Sequence, residues 1–209
     1  MTGKKEHREI ELKYKLNDRE SYEHLCQELG KPESDSLQVN HFFQSPDARV
    51  PGERGVIRIR LEKERAVFTV KLGGPLKDGL ASAMEYEEPW QGSLDKISSV
   101  AETLWDAGFQ GMKALEKAFG NRFPLVWAGS MENRRKVYNI EEDLCLEVDA
   151  SRYSNSVEDF EVEVETRHPE KARPRLLSLL NDLGIRHEPQ SETKYQRFLK
   201  YASCPKSRE

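Results

Sequence analysis

The sequence predicts an α+β fold in which an antiparallel sheet of about eight strands closes into a barrel with helices packed outside it. Three observations lead there. Short segments alternate charged and apolar residues with a period of two, the strand signal, because successive side chains leave opposite faces of a pleated backbone. Most of these segments follow one another through short turns, as antiparallel neighbours do. No repeat, low-complexity stretch or composition break marks a linker, so residues 1–203 read as one domain followed by a short polar tail, 204–209.

The opening strand is "REIELKYKL", residues 8–16, where every odd position from Glu9 is charged and every even one is apolar or aromatic. Asn17 is placed to cap a helix over "RESYEHLCQELG", with Glu20 three residues on and Gly30 to end it. "LQVNHFFQSPD" is rich in β-formers and stops at a Ser-Pro-Asp turn. A hairpin follows, Val56 to Glu62 and Ala66 to Leu72, ended by Gly-Gly-Pro. "ASAMEYEEPW" is the next strand, and residues 93–119 carry helical spacing through Leu94, Ile97, Val100, Ala101 and Leu104. "FPLVWAG", "NRRKVYNI", "DLCLEVDA" and "DFEVEVET" predict four short strands. "ARPRLLSLLNDLG" and "SETKYQRFLKY" predict the last two of about four helices.

Composition narrows the function. The 209 residues are 36% hydrophobic and 33% charged, polar overall but able to bury a core. A net charge of −4 offers no basic field for nucleic acid. No apolar run approaches the roughly 20 residues of a membrane helix, and the first residues lack a signal peptide's apolar stretch. A soluble cytoplasmic protein, monomer or homodimer, with no nucleic-acid or membrane partner is expected. Cys26, Cys145 and Cys204 have no metal-type spacing and read as reduced thiols. The five histidines, His7, His24, His41, His168 and His187, show no ligand spacing either. No Gly-rich phosphate loop and no Gly-x-Ser-x-Gly elbow occurs.

The strand faces are more informative. Glu9 and Glu11, Arg58 and Arg60, Glu85 and Glu87, Glu147 and Asp149, and the run Glu161, Glu163 and Glu165 are like-charge neighbours two residues apart. A solvent-facing sheet mixes Thr, Ser, Gln and Lys instead. Like charges so close repel unless opposite charge sits among them. Divalent cations suit the carboxylates, and a polyanion suits the bases, with Lys71 beside the arginines. A barrel of about eight strands holds at most one small ligand, and lining it with charge costs heavily without a partner. A small anionic ligand chelating Mg²⁺ or Mn²⁺, such as a triphosphate, fits that interior.

These residues resemble the CYTH superfamily, the triphosphate tunnel metalloenzymes, over nearly the whole chain. Glu9-Ile-Glu11-Leu-Lys13 has the opening ExExK form, and "VIRIR", "FTVK", "MEYEEPW", "NRRKVY", "LEVD", "DFEVEVE" and "SETKY" are similar to later segments in order. The resemblance implies an eight-stranded antiparallel tunnel that binds triphosphate and divalent metal. By position, Glu9 and Glu11 are similar to metal ligands, joined by two of Glu161, Glu163 and Glu165, with Glu163 and Glu165 favoured. Lys13, Arg58, Arg60, Lys71, Arg135 and Lys194 resemble the phosphate grip, although Arg135 alternates only imperfectly with its neighbours. Glu85, Glu87, Glu147 and Asp149 resemble ligands of a second metal or groups that orient a water; Lys13, Glu85, Glu87 and Asp149 are the candidate catalytic set. Asn133 stands where the family often has lysine. The implied activity is metal-dependent hydrolysis of tripolyphosphate to pyrophosphate and phosphate. Adenylyl cyclase, thiamine triphosphatase and a non-catalytic polyphosphate-binding module are the alternatives.

Overall fold

In the computed structural model, which describes residues 5–47, 54–141, 143–153 and 156–202, the chain runs β1 (Lys5–Leu16), α1 (Arg19–Leu29), β2 (Ser34–Gln44), β3 (Gly55–Glu62), β4 (Arg65–Gly73), β5 (Leu80–Pro89), α2 (Ile97–Thr103), α3 (Gln110–Phe119), β6 (Val126–Glu141), β7 (Leu144–Arg152), β8 (Glu158–Glu165), α4 (Pro169–Asp182), β9 (His187–Pro189) and α5 (Lys194–Ala202). The hydrogen-bonded order is β5-β4-β3-β2-β6-β7-β8-β1-β9, and β5 also pairs with β1. Strands β1 to β8 therefore form the closed antiparallel barrel of an α+β fold. The expected tail, 204–209, and Cys204 lie outside the described residues. Among the described residues, no helix is long and apolar enough to cross a membrane.

The chain divides into two compact units. One comprises Met1–Arg8, Val39–Pro75 and Ala83–Ser130. Its core sets Phe43, Ile57, Ile59, Phe68 and Val70 from the strands against Val100, Ala101, Leu104, Met112 and Leu115 from α2 and α3. The period of two in β3 and β4 supplies the sheet side of that core, and the helical spacing of 97–115 supplies the other. At Gly111 an added Cβ would lie 2.8 Å from Val70 Cβ, so only glycine lets α3 approach β4 this closely. Phe109 brings no capping side chain to α3; instead the buried carboxylate of Glu88 on β5 accepts the Gln110 N–H at 2.5 Å.

The second unit comprises Glu9–Gln38, Leu76–Ser82 and Met131–Glu209. Here Leu12, Tyr14 and Leu16 of β1, Leu146 and Val148 of β7, and Phe160, Val162 and Val164 of β8 pack with Tyr22, Leu25 and Cys26 of α1 and Leu176 and Leu180 of α4. Leu12, Tyr14 and Leu16 are the even positions that the opening alternation set against its charged odd ones.

Three local expectations change, and one short strand is unforeseen. Asp18, not Asn17, caps α1: its side chain accepts the Ser21 N–H at 2.8 Å, while the Asn17 N–H donates to Arg186 O at 3.2 Å. The helical stretch 93–119 is two helices, because Gly108 adopts φ 78°, a left-handed conformation that interrupts it. "FPLVWAG" and "NRRKVYNI" join into the single 16-residue β6, and Gly129 takes a positive φ of 130° within it, which glycine tolerates. The three-residue β9 has no period-two pattern of its own; it exists by pairing with Tyr14–Leu16 of β1. The helices therefore number five among the described residues, not about four.

Candidate functional site

The pleat that turns Leu146, Val148, Val162 and Val164 into a core turns Glu147, Asp149, Glu161 and Glu163 the opposite way. Antiparallel register sets Glu147 opposite Glu163 and Asp149 opposite Glu161, while Lys13 of β1 faces Glu163 and Arg135 of β6 faces Asp149. This face is not solvated: Asp149 and Glu161 are 0% exposed and Glu163 is 2% exposed. Acids at such depth need cations, and the sequence supplies them from three elements. Arg135 forks onto both oxygens of Asp149 at 2.9 and 2.6 Å, reaches Glu163 at 2.8 Å and also pairs with Glu147. Lys13 bridges Glu11 at 2.5 Å and Glu163 at 2.6 Å. From α5, Lys194 contacts Asp149 at 2.6 Å and Glu163 at 2.8 Å, and also Glu161. One turn on, Arg197 reaches Glu161 at 2.9 Å and Asp159 at 2.6 Å. Among the described residues, these contacts tie six carboxylates (Glu11, Glu147, Asp149, Asp159, Glu161, Glu163) to Lys13, Arg135, Lys194 and Arg197.

The titration of these groups reflects the contest between burial and pairing. Burial opposes ionisation of Asp149, but Arg135 and Lys194 outweigh it and hold the carboxyl below its usual range. Glu163 is likewise held low, against burial, by Lys13, Lys194 and Arg135. Lys13 and Lys194 are buried too, yet the surrounding carboxylates keep both ammonium groups above their usual range. Glu147 goes the other way. Its burial, with Glu163 and Asp149 nearby, raises the carboxyl despite Arg135, and its side chain keeps 30% exposure.

The unit built on β3, β4 and β5 carries a separate cluster. Ile57, Ile59, Phe68 and Val70 face the helices, so Arg58, Arg60, Thr69 and Lys71 face away. Register sets Lys71 opposite Glu85 and Thr69 opposite Glu87. Glu85, 4% exposed, is shared by Lys71 at 3.3 Å, Arg58 at 3.6 Å and His7 Nε2 at 3.6 Å. Arg60 donates from Nε to Asn40 Oδ1 at 3.1 Å. Here one buried carboxylate is divided among several bases.

Lys13, Arg135, Glu147, Asp149, Glu161, Glu163 and Lys194 thus converge in one cluster, with Glu11 at its edge. Glu9, 7% exposed, and Glu11 precede Lys13 on the same β1 face, and Glu165, opposite Glu11, is exposed at the end of β8. Among the described residues, Asp149, Glu161 and Glu163 are the acids that each offer one oxygen within 4.8 Å of the others. Three carboxylate oxygens are a donor set for a hard cation such as Mg²⁺ or Mn²⁺. Sequence reasoning named Lys13, Arg135 and Lys194, and Asn133 only as a departure from the family pattern; it missed Ser151, Gln190 and Arg197. Asn133, 1% exposed, donates to Asp149 at 3.0 Å and accepts from Ser151 at 3.0 Å. Gln190 donates to Glu161 at 3.2 Å. Arg197 was legible in principle, since i, i+3 spacing puts it on the helix face of Lys194.

Residues 7–198 match the CYTH domain family. The Bacillus subtilis (strain 168) protein "Putative triphosphatase YjbK" is 26% identical over 201 residues, covering 95% of this chain and 98% of that protein. Among solved structures, a Hippeastrum protein, HpAC1, described as a putative adenylyl cyclase with a dominant triphosphatase activity, superposes with TM-score 0.82 at 24% identity, over 94% of this chain and 98% of that one. A Bacillus halodurans protein described as a putative adenylate cyclase gives TM-score 0.69 at 25% identity, over 91% and 98%. Arg135, whose orientation the sequence left open, joins Lys13 and Lys194 on the buried acidic face, and the ordered segments from ExExK to "SETKY" fall on the matching strands and last helix. The chain belongs to the CYTH domain family.

Proposed function

We propose that this protein is a metal-dependent triphosphatase that hydrolyses inorganic tripolyphosphate to pyrophosphate and phosphate. The observation that supports this most is the buried ionic face. An ionic cluster of this depth is a poor way to stabilise a fold, because desolvation offsets most of its attraction. It is a good way to preorganise charge for an anionic substrate and its metal. The printed name of the Bacillus subtilis relative points the same way.

In this reading Lys13, Arg58, Arg60, Lys71, Arg135 and Lys194 bind phosphoryl oxygens, each by charge-assisted hydrogen bonds. Asp149, Glu161 and Glu163, together with Glu9 and Glu11 of β1, would hold a divalent cation. Held there, such a cation would supply positive charge against the phosphoryl oxygens of the substrate. Water adds to a terminal phosphorus and the bridging P–O bond breaks, with its electron pair leaving on pyrophosphate. Glu147 is assigned to orient that water: its side chain keeps 30% exposure, whereas that of Asp149 is 0% exposed. Asp149 is bound by Arg135, Asn133 and Lys194 and acts as a fixed anchor instead.

Six cations exceed what pyrophosphate engages, and no residue has been assigned to a nucleobase. Loss of one grip residue tests the reading: Lys71→Ala and Arg58→Ala should each lower kcat/KM for tripolyphosphate about a hundredfold. Turnover by both variants at the wild-type rate would remove this cluster from the active site.

A further inference from the structure

The cradle formed by Asp149, Glu161 and Glu163 is not an open acidic cluster, because a side chain of the protein sits in it. Lys194 Nζ lies 2.6 Å from Asp149 Oδ2 and 2.8 Å from Glu163 Oε1, and it also contacts Glu161 Oε1. One ammonium therefore touches one oxygen of every carboxylate in the set. The second oxygen of each is fixed by other donors. Asp149 Oδ1 accepts from Arg135 at 2.9 Å and Asn133 at 3.0 Å, Glu163 Oε2 accepts from Arg135 at 2.8 Å, and Glu161 Oε2 accepts from Gln190 at 3.2 Å and is ion-paired with Arg197 at 2.9 Å. Those donors orient the three inner oxygens toward one point. Arg135 and Lys13 also reach Asp149 Oδ2 and Glu163 Oε1, both at 2.6 Å.

From this geometry we propose that Lys194 is the resident cation of the cradle and that a divalent metal takes these three oxygens only by displacing its ammonium group. The inference rests on the metal-triphosphate reading above and adds an order to it. Lys194 touches all three inner oxygens, so it fills the point where a divalent ion would sit and would repel it at contact distance. Arg135 and Lys13 each reach only one of the three. Displacement does not require α5 to detach. Arg197 anchors the helix independently, to Glu161, Asp159 at 2.6 Å and the Glu192 carbonyl at 2.5 Å. The lysine stem is flexible and swings while the helix stays. Metal loading thus turns Lys194 from a partner of carboxylates into a cation available to phosphate, and couples the two binding events. By reciprocity the lysine weakens the metal as much as the metal weakens the lysine.

The test is Mn²⁺ binding to the full chain, followed by the electron paramagnetic resonance of free Mn²⁺. Lys194→Gln should bind Mn²⁺ about tenfold more tightly than the wild type, within the usual range of such couplings. Lys194→Arg, which keeps a cation in place, should not. Equal affinity of Lys194→Gln and wild type would overturn the proposal. A second readout uses the wild type alone, in case the glutamine variant fails to fold. Labelling by an amine-reactive reagent, mapped by mass spectrometry, should rise at Lys194 when Mn²⁺ is added, and unchanged labelling would also overturn it. Tripolyphosphate turnover that persists while both readouts stay flat would sink the displacement and spare the activity. Positive readouts without turnover would uphold the displacement and sink the activity.

Discussion

At the scale of single residues, the buried acids are where charge, burial and chemistry meet. Asp149 is 0% exposed and receives donors from Arg135, Asn133 and Lys194. Asp149→Asn leaves Arg135 and Lys194 buried without their main partner, so it should cost about 3–5 kcal/mol of stability in chemical denaturation. A loss under about 1 kcal/mol would mean the pair is effectively solvated. The same acids set a pH dependence. Asp149 and Glu163 titrate below their unfolded values of 3.8 and 4.5, so their contribution is complete above the unfolded values and is lost as pH falls through the folded ones. Glu147 and Asp159, which burial raises, oppose this, but each is also bound by an arginine. Stability of the metal-free protein should therefore decline between about pH 5 and pH 2, and stability that grows over that range would contradict the pairing. Most of the charged residues here were legible, because like-charge neighbours at period two are rare on a solvated strand. The roles of the neutral groups that hold the acids were not. Asn133, Ser151 and Gln190 are ordinary polar residues in the sequence, and only register brings them against the acids.

At the scale of elements, patterns that one segment contains were readable and patterns made by two were not. The hairpin of β3 and β4 is self-contained, and its ends fall within a residue of expectation. The break between α2 and α3 falls at a glycine and β6 runs through one, and a glycine in sequence does not say whether it ends an element or lies within it. Strand β9 depends wholly on its partner. Gly111 shows the same dependence. Within a helix, glycine to alanine ordinarily stabilises by about 0.8–1.0 kcal/mol. Here the new methyl would meet Val70 Cβ at 2.8 Å, and overpacking of this kind costs about 1–3 kcal/mol. Gly111→Ala should therefore lower the melting temperature, and a raised one would show that α3 can move away from β4.

At the scale of the whole molecule, the antiparallel barrel was inferable because its strands alternate and mostly follow one another through short turns. The long pairing of β8 with β1, and the order that places β6 beside β2, came from burial of two separate apolar faces, which no single window displays. Function is least legible at this scale, because triphosphate enzymes of one fold share a phosphate grip and differ in what lies beyond it. The central claim is that the buried charge serves an inorganic triphosphate. It is tested most directly by kcat/KM for tripolyphosphate, ATP, thiamine triphosphate and pyrophosphate, measured side by side with Mg²⁺ or Mn²⁺. Tripolyphosphate should give the highest value, with the others at least about tenfold lower, since pyrophosphate leaves buried donors unsatisfied at about 1–3 kcal/mol each. ATP as the best substrate with cyclic AMP as the product, or thiamine triphosphate as the best, would contradict it.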